Sequence, residues 1–233
     1  MCIEEFIKNL LSNQYMQIGF STFVGAITAF LANWIKEYLC NRNYEKNELI
    51  KYFYNLHFVI RNFAVFINNV NQVTNWQSNT NIKEEIKNKD IPLSQIDFNF
   101  NEEKLNFVCV RQSTFYENIM QLKTELKVLH ENAIQYNNMH NIETINEITN
   151  SSLSLCPKIS ATLKNVDKYL RKYYWHKSLI KGEIEININK LNIFFENSIN
   201  SIKEKIFNDN LNLKSIDIIN NMELIEDAWN IDF

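Results

Sequence analysis

Arg171 and His176, in the segment RKYYWH, are the residues whose types and spacing could do chemistry. A guanidinium followed closely by an imidazole pairs a permanent cation with a group that titrates near neutral pH. Together they could supply a proton shuttle and a fixed positive charge to one reacting group. The same six residues also read as a basic, aromatic surface turn of a helix, with Tyr173 in the core and Tyr174 and Trp175 partly exposed. Short charged runs are usually solvated faces, and an exposed aromatic cluster can also mark a protein interface.

Other chemistry is hard to find. The sequence has no glycine-rich phosphate loop, no G-x-S-x-G elbow and no H-E-x-x-H motif, and its four histidines do not cluster. The carboxylate pairs Glu84–Glu85 and Glu102–Glu103 lie in hydrophilic context and read as surface. Cys2, Cys40, Cys109 and Cys156 are scattered and form no C-x-x-C pair, which fits a reducing compartment and implies neither a metal site nor a cofactor. Cys40 follows the N-terminal apolar run, where a thiol could be acylated; an ordinary cysteine is the simpler reading.

The elements that must position Arg171 and His176 are long helices. Leu49, Phe53, Leu56, Ile60, Phe63, Ile67, Val70 and Val73 fall at alternating steps of four and three, one stripe of an amphipathic helix. His57 and Arg61, one turn apart on it, read as flank positions. Two alternatives stand at residues 41–43, a break or a helix that continues directly from the membrane span. Residues 77–101 lose the pattern and read as a long loop whose IPLSQIDFNF stretch tucks back onto the core. Asn101 with Glu102 and Glu103 reads as a helix start, and Thr114 with Glu117 as another. From there Phe115, Ile119, Leu122, Leu126, Leu129, Ala133 and Tyr136 repeat the four-three spacing.

Pro157 suits a first helical turn, and Ile159, Leu163, Val166, Leu170 and Tyr173 form the stripe beyond it, with Gly182 as the expected stop or kink. Ile184, Ile186 and Ile188 alternate as a strand does, but the helical stripe runs on through Leu191, Phe195, Ile199, Ile202 and Ile206, and length decides for helix. A short last helix over residues 215–229 closes the chain. Three Gly and two Pro in 233 residues leave little material for hairpins, so an all-α architecture is expected. No internal repeat of fixed period suggests a solenoid.

The N-terminal stretch 9–35 carries no charged residue. Within it YMQIGFSTFVGAITAFLANWI, residues 15–35, is long enough to cross a bilayer as one helix. Tyr15 and Trp34 would lie about 28 Å apart along such a helix, as interface anchors with Lys36. Ser21, Gly25 and Ala29 recur every fourth residue, with Asn33 one step further, giving a small-residue face where a second helix can approach. The start MCIEEFIK lacks the basic region and cleavage site of a signal peptide. The rival is a buried helix of a soluble bundle, since Gln14, Gln17, Ser21, Thr22 and Thr28 make the run less apolar than a typical span.

Lys36, Arg42, Lys46 and Lys51 follow the span while only Lys8 precedes it, so the positive-inside rule puts the N-terminus outside and the rest in the cytoplasm. The expected layout is an anchor over residues 1–40 and a cytosolic long-helix bundle over 41–233. A formal charge of −3 provides no basic field for nucleic acid, and DNA binding is not expected.

The spacing R-x-x-x-x-H resembles the catalytic signature of HEPN domains, helical bundles that often act as ribonucleases when two copies pair. That resemblance would make Arg171 the phosphate binder and His176 the acid or base; Lys172 stands where active members commonly carry an uncharged polar or acidic residue. One span followed by a helical bundle also resembles membrane effectors of bacterial anti-phage systems. These are the membrane proteins associated with retrons and the membrane accessory of type VI CRISPR systems, which joins one span to a HEPN-like bundle. The resemblance implies an inner-membrane effector that oligomerises and perturbs or permeabilises the membrane. Membrane lipid, further copies of the chain and a partner protein or ribonucleoprotein of a defence system would be its partners. The alternatives are a membrane-tethered HEPN-type ribonuclease and a scaffold or sensor without activity of its own.

Overall fold

The computed structural model describes residues 5, 8, 14–78, 89–92, 101–209, 225 and 228–231. Among these, five α-helices and one short 3-10 turn make up the regular structure, with no strand. The helices are α1 (Gln14–Ser78), α2 (Asn106–Arg111), α3 (Ser113–Met139), α4 (Ile142–Tyr174) and α5 (Glu183–Asp209), and the 3-10 turn is Glu102–Leu105. The chain divides into two compact units, Met1–Glu45 and Lys46–Phe233.

The first unit contains the start of α1. It is the one helix, among the described residues, long and apolar enough to cross a membrane. Of the two alternatives at residues 41–43, the continuous helix is found: α1 is helical throughout. Asn41, Arg42 and Asn43 lower helix propensity only slightly, and no Gly or Pro interrupts the chain there.

The second unit is a bundle with one hydrophobic core. All eight stripe residues of α1, from Leu49 to Val73, are buried in it, as are all seven of α3. Stripes of this width define the helix faces that exclude water, which is why spacing alone found them. α4 packs on both α3 and α5, and α2 packs on α3.

α4 is the central element. Every residue from Leu155 to Leu163 is buried, although the stretch includes Pro157, Lys158, Ser160 and Thr162. The expected start at Pro157 is therefore overturned: α4 begins at Ile142, where the Asn141 side chain accepts a hydrogen bond from the Glu143 amide (2.9 Å). The first half of the helix was obscured because Ser, Thr and Asn dilute its apolar positions Ile145, Ile148 and Leu155. A proline inside a helix costs ~3 kcal/mol, a penalty this helix offsets by packing on all sides. Thr114 is likewise inside α3, which starts one residue earlier with Gln112 at the N-cap and no side-chain cap.

Asn101 does cap the 3-10 turn, its side chain accepting from the Glu103 amide at 3.1 Å. Ile91 is buried, and its backbone N–H and C=O both bond the Asn137 side chain of α3 (2.8 and 2.9 Å), so one residue of the expected loop is pinned to the core. Residues 93–100, most of the expected closing helix over 215–229, and the side chains of Ile202 and Ile206 lie outside the described residues. Helix, not strand, is found over the Ile-rich segment: α5 runs without interruption, with Ile188, Leu191, Phe195 and Ile199 buried.

Candidate functional site

The sequence-predicted candidate residues fall in two regions, the apolar start of α1 and the C-terminal end of α4.

In the first unit every described side chain from Met16 to Asn41 is exposed. Met16, Ile18, Phe20, Phe23, Val24, Ile27, Phe30, Leu31, Trp34, Ile35, Tyr38 and Leu39 point outward all around the helix. Fully burying such a side chain is worth about 1.5–3 kcal/mol, so a dozen half-exposed ones represent on the order of 10 kcal/mol awaiting an apolar environment. None of the most apolar window of this helix is buried within the chain.

The polar residues of the run are satisfied locally. Ser21 and Thr22 hydroxyls both donate to the Ile18 carbonyl (2.9 and 2.8 Å), and Thr28 donates to Val24 (2.8 Å). Such back-bonding lets a helix carry hydroxyls in hydrocarbon. Ser21, Gly25, Ala29 and Asn33 are all exposed, and a Cβ built on Gly25 would meet nothing within 4 Å.

At the end of the run Trp34 stacks on Tyr38 with ring centroids 6.1 Å apart, and the Tyr38 hydroxyl accepts from Arg42 Nη1 at 3.2 Å. This i, i+4, i+8 ladder places an indole, a phenol and a cation in the order in which they suit a membrane interface. Tyr38 was not singled out in the sequence, although its spacing to Trp34 and Arg42 was legible. Lys36 is exposed; Tyr15 belongs to α1, and its side chain lies outside the described residues.

The second region is organised by Asp167, which sequence reasoning did not single out. This carboxylate is buried on α4 and accepts from the Leu179 amide (2.6 Å), from Ser178 Oγ (3.1 Å at the nearer oxygen) and from Arg171 Nε (3.0 Å). It ties the segment that leaves α4 back onto the helix. The D-x-x-x-R spacing was the available signal, one helical turn on the same face.

α4 ends at Tyr174, not at Gly182. Trp175 is left-handed at φ 49°, and the amides of Trp175 and His176 both donate to the Leu170 carbonyl. Gly182, at φ 56°, instead precedes α5. Left-handed backbone costs a non-glycine residue roughly 1–2 kcal/mol. The expected placement of the two tyrosines is reversed. Tyr174 is buried, hydrogen-bonded to Arg111 of α2 and lying beneath its guanidinium, whereas Tyr173 is half-buried with its ring tilted against Tyr169 (centroids 4.5 Å apart). The core stripe here steps by four from Leu170 rather than by three.

Arg171 pairs with Asp167, and the Asp167 charge also acts on His176. Arg171 is half-exposed with its Nε engaged. His176 is partly buried, which pushes its pKa below the usual histidine value; Lys46 lowers it further and Asp167 opposes. Burial and Lys46 thus disfavour the protonated imidazole, as suits a proton acceptor, but the cation that would bind phosphate is shared with a carboxylate.

His57 lies elsewhere, on α1, with its Nε2 at 3.2 Å from Asn187 Nδ2 of α5. Burial lowers its pKa, Glu183 raises it and Arg61 lowers it. Lys158, buried on α4, pairs with Glu125 of α3 and lies 5.3 Å from the Trp229 ring centroid. Among the described residues no three His, Cys, Asp or Glu side chains gather to hold a metal ion. Cys40 and Cys109 are exposed, and Cys156 is buried with its thiol pKa pushed up by desolvation.

No known family model matches the chain, and neither the curated proteins nor the solved structures contain a significant match to it. Fold and composition define the class: an all-α protein with a helical bundle and one N-terminal helix able to cross a membrane.

Proposed function

We propose that this chain is a single-span effector of the bacterial inner membrane, acting in anti-phage defence. Its bundle is cytoplasmic, copies associate, and their spans meet through the Ser21, Gly25 and Ala29 face to perturb the membrane. The observation that carries this reading is the first unit, where a dozen large apolar side chains surround a helix whose hydroxyls are already satisfied within it. Lys36, Arg42, Lys46 and Lys51 on the following turns favour the cytoplasmic side for the bundle. The open surface at Gly25 supports close approach of a second helix.

The test is growth arrest on induction in bacteria, with the full chain and with residues 9–35 deleted. Arrest that requires the segment is expected; arrest by the deleted form at equal expression contradicts the reading.

A second reading, a membrane-tethered ribonuclease of HEPN type, is favoured by one observation: Arg171 pairs with Asp167, whose charge also acts on His176. His176→Ala separates the two. A nuclease loses its phenotype and its RNA fragmentation, whereas a membrane effector keeps its toxicity.

A further inference from the structure

The turn that joins α4 to α5 has a chemistry unlike the rest of the chain. From residue 171 to 181 it reads RKYYWHKSLIK, with four Lys or Arg and no Asp or Glu, in a protein of net charge −3. At its tip Trp175 is 83% exposed, the highest exposure among the described aromatic side chains. Lys172, Lys177 and Lys181 are exposed around it.

The turn is also held firmly. Asp167 fixes Ser178 and Leu179, the Leu170 carbonyl fixes the amides of Trp175 and His176, and Leu179 and Ile180 pack on the core. A rigid segment loses little conformational entropy when it binds.

We propose that this turn is a second membrane contact, in which Trp175 enters the interfacial region of an anionic leaflet while Lys172, Lys177 and Lys181 engage lipid phosphates. An indole among lysines is the combination that bilayer interfaces select. Single-stranded RNA is the other polyanion this patch could meet. It usually stacks successive bases on several aromatic faces, and here Tyr174 is buried and Tyr173 half-buried, leaving one ring. The proposal rests on the reading of α1 as a membrane span, because a tethered bundle meets lipid headgroups at high local concentration.

The experiment uses the full chain carrying 5-fluorotryptophan, reconstituted in nanodiscs with and without phosphatidylglycerol, with a spin label on the lipid headgroups. Fluorine resonances of Trp175 and Trp34 are assigned with Trp175→Phe and Trp34→Phe. Trp34 is broadened in both nanodiscs if α1 spans the bilayer. Trp175 is expected to broaden only with phosphatidylglycerol and to recover in high salt. Each basic residue at an anionic surface contributes about fivefold, so Lys172→Gln with Lys177→Gln lowers the docked-to-free ratio about 25-fold.

A broadened Trp34 beside a Trp175 that is indifferent to phosphatidylglycerol overturns the proposal and leaves the span reading standing. An unbroadened Trp34 overturns the span reading and the proposal together. A Trp175 that responds to an oligoribonucleotide and not to the lipid assigns the turn to RNA and overturns the membrane contact.

Discussion

Removing the Asp167 carboxylate separates a structural clamp from a catalytic ensemble at the end of α4. In Asp167→Ala the Leu179 amide loses a 2.6 Å acceptor, Ser178 loses its partner and Arg171 loses its ion pair, while a buried space opens on α4. A hydrogen bond to a charged group is worth about 1.5–3 kcal/mol, and a buried donor left without an acceptor costs about 1–3 kcal/mol. Arg171 is half-exposed, so solvent screening reduces its pair to roughly 0.5 kcal/mol. Asp167→Ala should therefore cost about 3 kcal/mol and Arg171→Ala less than about 1 kcal/mol. For a domain of this size the first corresponds to a fall in melting temperature of about 6–12 °C. Thermal melts of the full chain in detergent, followed by far-ultraviolet circular dichroism, measure both. Equal losses for the two variants, or an Asp167→Ala melt within 2 °C of wild type, about 0.5 kcal/mol, would refute the clamp.

Three further outcomes follow from the same contacts. Gly25→Leu should abolish toxicity at unchanged expression, because the added side chain meets nothing in one chain but fills the face a second span must approach; unchanged toxicity argues against close span packing. Trp229→Ala removes a ring that is 5% exposed and lies over Lys158, and should cost about 3 kcal/mol by denaturant titration, with a loss under about 1 kcal/mol contradicting that anchor. Burial depresses the His57 pKa, so the unfolded chain binds more protons once pH falls below the ordinary histidine value; stability present at pH 7.5 is lost toward pH 5.5, and His57→Gln should shrink that difference in melting temperature. An undiminished difference would show that other groups carry the pH dependence.

Much of the fold was legible because burial follows spacing. The four-three stripes of α1 and α3 were read residue for residue, and the Ile-rich segment of α5 was correctly taken as helix from its length. The first half of α4 was not legible. Its buried surface sets Thr144, Ser152 and Lys158 among Ile145, Ile148 and Leu155, and small polar residues suit a crowded central helix for their size rather than their hydropathy. Pro157, read as a beginning, is tolerated in the interior of that helix.

The chemistry was less legible than the fold. R-x-x-x-x-H drew attention to Arg171 and His176, while Asp167, which pairs with Arg171, gives no signal beyond its i, i+4 spacing to it. Asn165 donates to the Trp229 carbonyl (2.8 Å) and Asn187 meets His57, pairs joined only by the folded chain. The apolar run at the N-terminus was plain from the lack of charge, and none of its most apolar window is buried within the chain.

Membrane potential in living bacteria after induction, with residues 9–35 present or deleted, tests the central claim most directly. The account predicts rapid depolarisation by the full chain and none by the deleted form at equal expression. A potential that stays undisturbed while the full chain arrests growth would contradict it, and would shift the function from the α1 span to the Arg171 and His176 end of α4.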